Sequence, residues 1–244
     1  PILIVITPLM FSLIIAVLNN NRLAWTLSTF ASFLTMIFTI LLCFEVSYKS
    51  NISYYLGNWP PPLGIEYVID RISIIPIMIV SVIGLIATLF AHNFFTLEID
   101  EKLVSKTYSL WLLTIAGLIG LITTADAFNL FVFLEISSLS AVALVALGSK
   151  VDRKALVAGY NYLILGAVGA TFYVIGVGLL YGVTGTLNMG DLAQKIPALG
   201  LNKSVIVAFT FMMLGIMVKA AVFPLHIWLP NAYAYAPSPV SVLL

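Results

Sequence analysis

The sequence predicts an all-α fold: a polytopic transmembrane helical bundle with about seven spans, the start of an eighth, and a seventh helix broken near Pro224. Three observations predict it. Hydrophobic residues fill 61% of the 244 positions and charged residues 9%, far from the roughly quarter-charged mix of a soluble domain. The mean hydropathy is +1.11. Apolar runs near 2–18, 23–44, 72–91, 108–124, 127–147, 156–181 and 204–223 recur along the chain, each close to the ~20 residues that cross a hydrocarbon core.

Taken in order, the first run starts at Pro1 and lacks the charged flank and A-x-A-like exit of a secretory signal, so it reads as a true span. Trp25 and Trp111 read as interfacial anchors at the ends of the second and fourth runs. The longest connection runs from Glu45 to Arg71, and Trp59-Pro60-Pro61-Pro62 with Gly64 excludes regular helix there. Asp126, with Asn129 nearby, reads as the cap of the fifth span, where a carboxylate meets the positive end of the helix dipole. In the sixth span Gly159, Gly166, Gly169, Gly176 and Gly178 place small residues where helices approach closely. Thr186 through Ala193 is compatible with a short surface helix. In the seventh, Pro224 lacks the amide for the Ala220 carbonyl and Pro230 lacks that for His226, so a break is expected just beyond Lys219. An eighth helix begins near Pro239. The whole reads as one transmembrane domain, 1–244.

Composition also excludes. Eleven Lys+Arg against ten Asp+Glu, without a basic stripe, argue against nucleic acid as a partner. A single cysteine, Cys43, allows no internal disulfide and no cysteine-based metal or iron–sulfur site. No phosphate loop, dinucleotide fingerprint, nucleophile elbow or metal cluster is present, so no cofactor, no metal and no catalytic site of its own are expected. The first, third and fifth connections hold Arg22, Lys102, Lys106, Lys150, Arg153 and Lys154; the second, fourth and sixth hold Lys49, Arg71, Lys195 and Lys203. The positive-inside bias therefore places the odd connections in the cytoplasm and the N-terminus outside.

Chemistry resides in the few ionisable groups within spans. Glu135 lies about eight residues, or ~12 Å, into the fifth span. Near the bilayer centre an ionised carboxylate costs about 2.5–3.5 kcal/mol, so it needs a partner, water or a proton. The alternative is a structural carboxyl bonded to a neighbouring helix through Ser138. Lys219 lies about fifteen residues into the seventh span, too deep to snorkel, next to carbonyls freed by the break. Interrupted helices line ion sites in transporters. His226 would share the face of Lys219 in a continuous helix, ~10 Å further on, where it reads either as a proton relay or as an interfacial histidine bonded to a carbonyl. His92 reads as a surface residue.

The stretches Phe128-Asn129-Leu130-Phe131-Val132-Phe133-Leu134-Glu135, Val218-Lys219-Ala220-Ala221-Val222-Phe223-Pro224-Leu225-His226-Ile227-Trp228-Leu229-Pro230 and Ala236-Pro237-Ser238-Pro239-Val240-Ser241 resemble the antiporter-like membrane subunits. That family joins the proton-pumping subunits of NADH–quinone oxidoreductase (respiratory complex I), those of membrane-bound hydrogenases, and the large subunits of Mrp-type Na+/H+ antiporters. The resemblance runs from about Asp70 to the end. Within it, the run from Phe128 through Gly185-Thr186-Leu187-Asn188-Met189-Gly190-Asp191-Leu192-Ala193 looks most like the D subunit of the Mrp type.

The resemblance implies a protein of about fourteen helices with inverted repeats of about five helices each, of which this chain holds the N-terminal part. It implies that Glu135 is the fifth-helix glutamate and Lys219 the seventh-helix lysine. The family's further lysine and charged residue of the eighth and twelfth helices would lie beyond Leu244. The expected function is proton or monovalent-cation translocation, in a bacterial inner membrane, with other membrane subunits of one complex as partners and protons, with or without Na+, as cargo. Near Glu135, Lys219 holds its proton; when the two separate, desolvation favours the neutral amine and the proton moves on. The rivals are a proton-pumping subunit of a redox complex, a structural membrane subunit and an inactive truncated remnant. Water access separates transporter from scaffold.

Overall fold

The computed structural model, which describes residues 1–18, 20–200 and 202–244, is a bundle of α-helices with a small β-hairpin on one end. Helices α1 (Leu3–Val17) and α2 (Asn21–Lys49) lead into strands β1 (Asn51–Tyr55) and β2 (Glu66–Asp70). Then follow α3 (Ile74–Glu98), α4 (Glu101–Thr123), α5 (Ala127–Ala146), α6 (Lys154–Thr184), α7 (Met189–Ala198), α8 (Lys203–Lys219), α9 (Trp228–Tyr235) and α10 (Ser238–Leu243). Asparagine and aspartate start several of them. Asn20, Asp126, Asn188 and Asn202 each accept a backbone N–H of the first turn, satisfying donors that a helix leaves orphaned.

Among the described residues five helices are long and apolar enough to cross a membrane: α2, α3, α4, α5 with its 3-10 extension to Lys150, and α6. The chain is an integral membrane protein with an all-α spanning bundle. The expected count of about seven is not reached by that measure, because α1 has 15 residues and α8 has 17, or ~22 and ~26 Å against a core of ~30 Å.

The connection after α2 holds no α-helix, as expected, and forms an antiparallel hairpin in which Asn51 pairs with Asp70 and Tyr55 with Glu66 and whose tip carries the prolines. Two local expectations are corrected. Helix α4 begins at Glu101, so Lys102 and Lys106 ride its first turns and the third connection shrinks to Ile99 and Asp100. In consequence Trp111 is no interfacial anchor: it is fully buried, and its Nε1–H donates to Thr88 Oγ1 at 2.8 Å. Hydroxyls bridge the first four helices in the same manner, Ser32 to Thr88 at 3.2 Å and Thr39 to Ser81 at 2.9 Å. Where lipid supplies no hydrophobic drive between helices, such bonds and close packing hold the bundle.

Close packing is most pronounced between α6 and α8. A Cβ on Gly176 would stand 2.6 Å from the Ala208 carbonyl oxygen, and one on Gly215 would stand 2.5 Å from that of Gly169. Gly178, expected to pack, has nothing within 4 Å. We expect Gly215→Leu to wedge α8 from α6 at a cost of about 1–3 kcal/mol, read as a lower unfolding midpoint in detergent, whereas Gly178→Leu leaves the midpoint unchanged.

Candidate functional site

Helix α5 is anchored at its start. Asp126 Oδ1 accepts the Asn129 N–H at 2.7 Å, as its capping role requires. The flanking backbone is clamped from two sides: Ala125 N–H donates to the Glu66 carbonyl at 2.9 Å, and Ala127 N–H to that of Leu187 at 2.9 Å. Asn188 Nδ2 adds a bond to Glu66 Oε2 at 2.9 Å. These contacts tie the hairpin, α5 and the start of α7 together. Glu135, nine residues after Asp126, is thereby set ~14 Å along a firmly held helix.

Helix α8 brings the cation. It stops at Lys219, and residues 220–227 form turns before α9. Ala221 takes a left-handed φ of 50°, an uncommon conformation for a residue with a Cβ. The break lies ahead of Pro224 rather than at it. The Val218 carbonyl, left without a regular helical partner, accepts Trp228 Nε1–H at 3.1 Å. Trp228 in turn stacks on Tyr162 of α6, with ring centroids 4.2 Å apart and planes at 10°. Pro230 falls in the first turn of α9, where a missing amide breaks no helical bond.

The two charges meet across 84 positions of sequence. Lys219 Nζ donates to Glu135 Oε1 at 3.1 Å and to Ser138 Oγ at 2.7 Å. Ser138, considered above as the carboxyl's own partner, accepts from the lysine instead. Gly166 of α6 faces the ammonium, where a Cβ would stand 3.6 Å from Nζ, an ordinary contact distance. The side chains are 10% exposed for Lys219 and 26% for Glu135. Removing two charges from water is costly, and the Coulomb attraction offsets it only with good geometry and further hydrogen bonds, which Ser138 supplies.

Lys219 also lines a cavity of about 510 Å³ between α4, α5, α6 and the break. Its polar wall is made by Thr114, Ser137, Ser138, Tyr162 and Tyr233, and the rest is apolar. One ammonium N–H beyond the two bonded above remains for this space. Such a wall accommodates water next to a paired charge, as a hydrated path needs.

His226 does not continue the Lys219 face, because α8 ends first. It sits within the break, 5.5 Å from the Phe223 ring between centroids, and its buried Nδ1 has no hydrogen-bond partner among the described residues. His92 is exposed at the end of α3, stacked on Trp25 with centroids 4.2 Å apart. At the far side of the break, Glu98 accepts Ser238 N–H at 2.7 Å and Ser238 Oγ–H at 2.6 Å, which fastens the start of α10 to the end of α3. Tyr162, Trp228 and Glu98 carry this geometry and were not singled out by sequence. Glu98 and Trp228 offered only an acid and an aromatic at a helix end, and Tyr162, inside α6, offered no signal. Among the described residues no group of three or more His, Cys, Asp or Glu stands close enough to hold a metal ion.

Residues 124–244, which contain Asp126, Glu135, Lys219 and His226, match the family described as NADH:quinone oxidoreductase/Mrp antiporter, transmembrane. The chain is 48% identical over 187 residues to the N subunit of NADH-quinone oxidoreductase of Desulforudis audaxviator, covering 77% of this chain and 36% of that protein. It is 31% identical over 244 residues to the D subunit of the Na(+)/H(+) antiporter of Bacillus subtilis, covering 99% and 48% respectively. A chain of the membrane-bound sulfane sulfur reductase, an archaeal respiratory membrane complex, is 34% identical and superposes with a TM-score of 0.90 over 98% of this chain and 48% of its own. The chain thus spans 36% to 48% of the length of these two curated relatives.

Proposed function

Because the chain belongs to the NADH:quinone oxidoreductase/Mrp antiporter transmembrane family, we propose that it is the N-terminal half of an antiporter-like subunit that moves protons or monovalent cations across a membrane. The single observation that carries this reading is the Lys219 ammonium held between Glu135 and Ser138 at a helix break, beside a cavity. Glu135 and Lys219 form the exchangeable pair, Pro224 belongs to the break between α8 and α9, and His226 is the next proton carrier. Its unpartnered Nδ1 supports that role, since an imidazole with one nitrogen free can take or give a proton without first breaking a bond.

In the membrane, α1 and α8 also cross. For α8 the broken segment and α9 make up the missing depth. The odd connections face the cytoplasm of a bacterial inner membrane and the N-terminus faces outward, as the lysine and arginine count argues. Partners are other membrane subunits of one complex, and the cargo is protons exchanged against Na+ or a similar cation. The match to an antiporter's D subunit over 99% of the chain supports exchange. The 48% identity to an oxidoreductase's N subunit supports a second reading, in which quinone reduction elsewhere in the complex drives the same proton steps.

The test is Glu135→Gln in the complete protein, assembled in its complex and assayed for proton flux in everted vesicles with a pH-sensitive dye. Flux is expected to fall on the order of tenfold or more with insertion unchanged. Wild-type flux sinks the proposal. Dependence of the residual or wild-type flux on added Na+ or on quinone separates the two readings.

A further inference from the structure

At the bundle end where the first, third and fifth connections meet lie two neighbouring recesses apart from the Glu135–Lys219 site. The apolar one, about 530 Å³ between α2 and α3, is walled by Trp25, Thr29, Phe30, Phe33, Leu85 and Leu89. The polar one, about 630 Å³ where the start of α2, the end of α3 and the start of α4 meet Lys150, is lined by Arg22, His92, Glu101, Tyr108 and Lys150 among others. Trp25 of the first and His92 of the second are in tilted ring contact, with centroids 4.2 Å apart, so the two recesses abut as one trough. On α2, Arg22 lies about one turn before Trp25 and two before Thr29; on α3, Leu85, Leu89 and His92 share one face. The trough therefore runs along both helices from a charged mouth into an apolar bed.

The bed lies on the outside of a spanning bundle. Phe30 is 52% exposed, Phe33 47% and Leu89 50%, so hydrocarbon, not water, is what this surface meets at that depth. The mouth is basic. Lys150 is fixed there by donating to the Ile99 carbonyl at 2.9 Å, and no carboxylate forms an ion pair with Arg22 among the described residues. Glu101 opposes an anion, but Arg22, Lys150 and the neighbouring Lys102 outnumber it. Basic pockets between helices at a membrane end bind anionic headgroups. An acyl chain alone has no use for Arg22, and a soluble phosphate none for the apolar bed.

The geometry points to a binding site for one anionic phospholipid, its phosphate at Arg22 and His92 and one acyl chain along Trp25, Phe30 and Leu89. The trough then acts as a lipid clasp on the α2–α3 pair. Trp25 lines the bed while Trp111 and Trp228 are buried in the bundle, and the exposed Trp59 of the hairpin, beyond the other end of α2, contributes equally in the Trp25→Phe background.

The test reconstitutes the full chain in phosphatidylcholine vesicles and titrates lipid brominated on its acyl chains, either phosphatidylglycerol or phosphatidylcholine. The quenching due to Trp25 is the part lost in Trp25→Phe. We expect half-maximal quenching of that part at about fivefold lower mole fraction for phosphatidylglycerol, with the preference abolished in Arg22→Gln, a change at an exposed side chain. Equal quenching by the two lipids means ordinary boundary lipid and overturns the site. A preference that survives Arg22→Gln, or a Trp25 that neither lipid reaches because protein covers the trough, overturns it equally.

Discussion

Lys219→Ala, introduced into the complete protein within its membrane complex, is expected to lower proton flux on the order of a hundredfold or more while the protein still inserts and assembles. The reasoning starts from the pair. Lys219 Nζ, 3.1 Å from Glu135 Oε1, is the group that can hold and release a proton next to the cavity. Alanine removes that group and leaves Glu135 without its cation. An ionised carboxylate at that depth without a partner costs about 2.5–3.5 kcal/mol. Stability and transport should then separate. The double variant Glu135→Gln/Lys219→Met, which removes both charges at similar volume, is expected to unfold no more readily than wild type, yet to transport no better than Lys219→Ala. Flux in everted vesicles and thermal unfolding in detergent measure the two quantities. A double variant that transports, or a single variant with wild-type flux, refutes the role assigned to the pair.

Trp228→Ala is expected to produce the largest loss of stability of any single change near the site, about 3–5 kcal/mol. The indole is buried, stacks on Tyr162 and caps the Val218 carbonyl at the end of α8. Alanine leaves a void and removes one of the two hydrogen bonds to the Val218 carbonyl, which keeps the Ala221 N–H at 3.2 Å. Trp228→Phe keeps most of the stack and removes only the N–H, so it should cost about 0.5–1.5 kcal/mol, the net worth of one hydrogen bond. Amide hydrogen exchange provides the local readout. In Trp228→Ala the amides of Ala220, Ala221 and Val222, which bond back into the last turn of α8, should exchange faster, while those in the middle of α2 stay protected. Uniform protection across both regions contradicts a pinning role for the indole.

Much of the fold was legible in advance because membrane insertion is a property of a local segment. A run of about 20 apolar residues is favourable in hydrocarbon whatever it later touches, so the five long spans stood out. The same arithmetic made Glu135 and Lys219 conspicuous, since each is costly within its run. The Asp126 cap and the break after Lys219 also read locally, one from a short acceptor ahead of an apolar run, the other from proline's missing amide. Helix limits were less legible. The first turns of α4 carry Lys102, Ser105, Lys106 and Thr107, polar residues that hydropathy cannot tell from a loop, and Trp111 was misplaced in consequence. The hairpin 51–70 escaped because its strands are fixed by pairing across the turn, which no single segment shows.

What composition and order determined by themselves is that this chain lives in a bilayer, that it folds as a helical bundle, and that two buried charges must be explained. Only tertiary structure decided that those charges explain each other. Ser138 as the third partner follows from a contact across 81 positions, while Trp228 as the cap of the broken helix and His226 out of register with Lys219 follow from the path the chain takes through the break. Burial cost is a sum over neighbours in sequence. The pairing that relieves it depends on which helix faces cross, and no single segment encodes that.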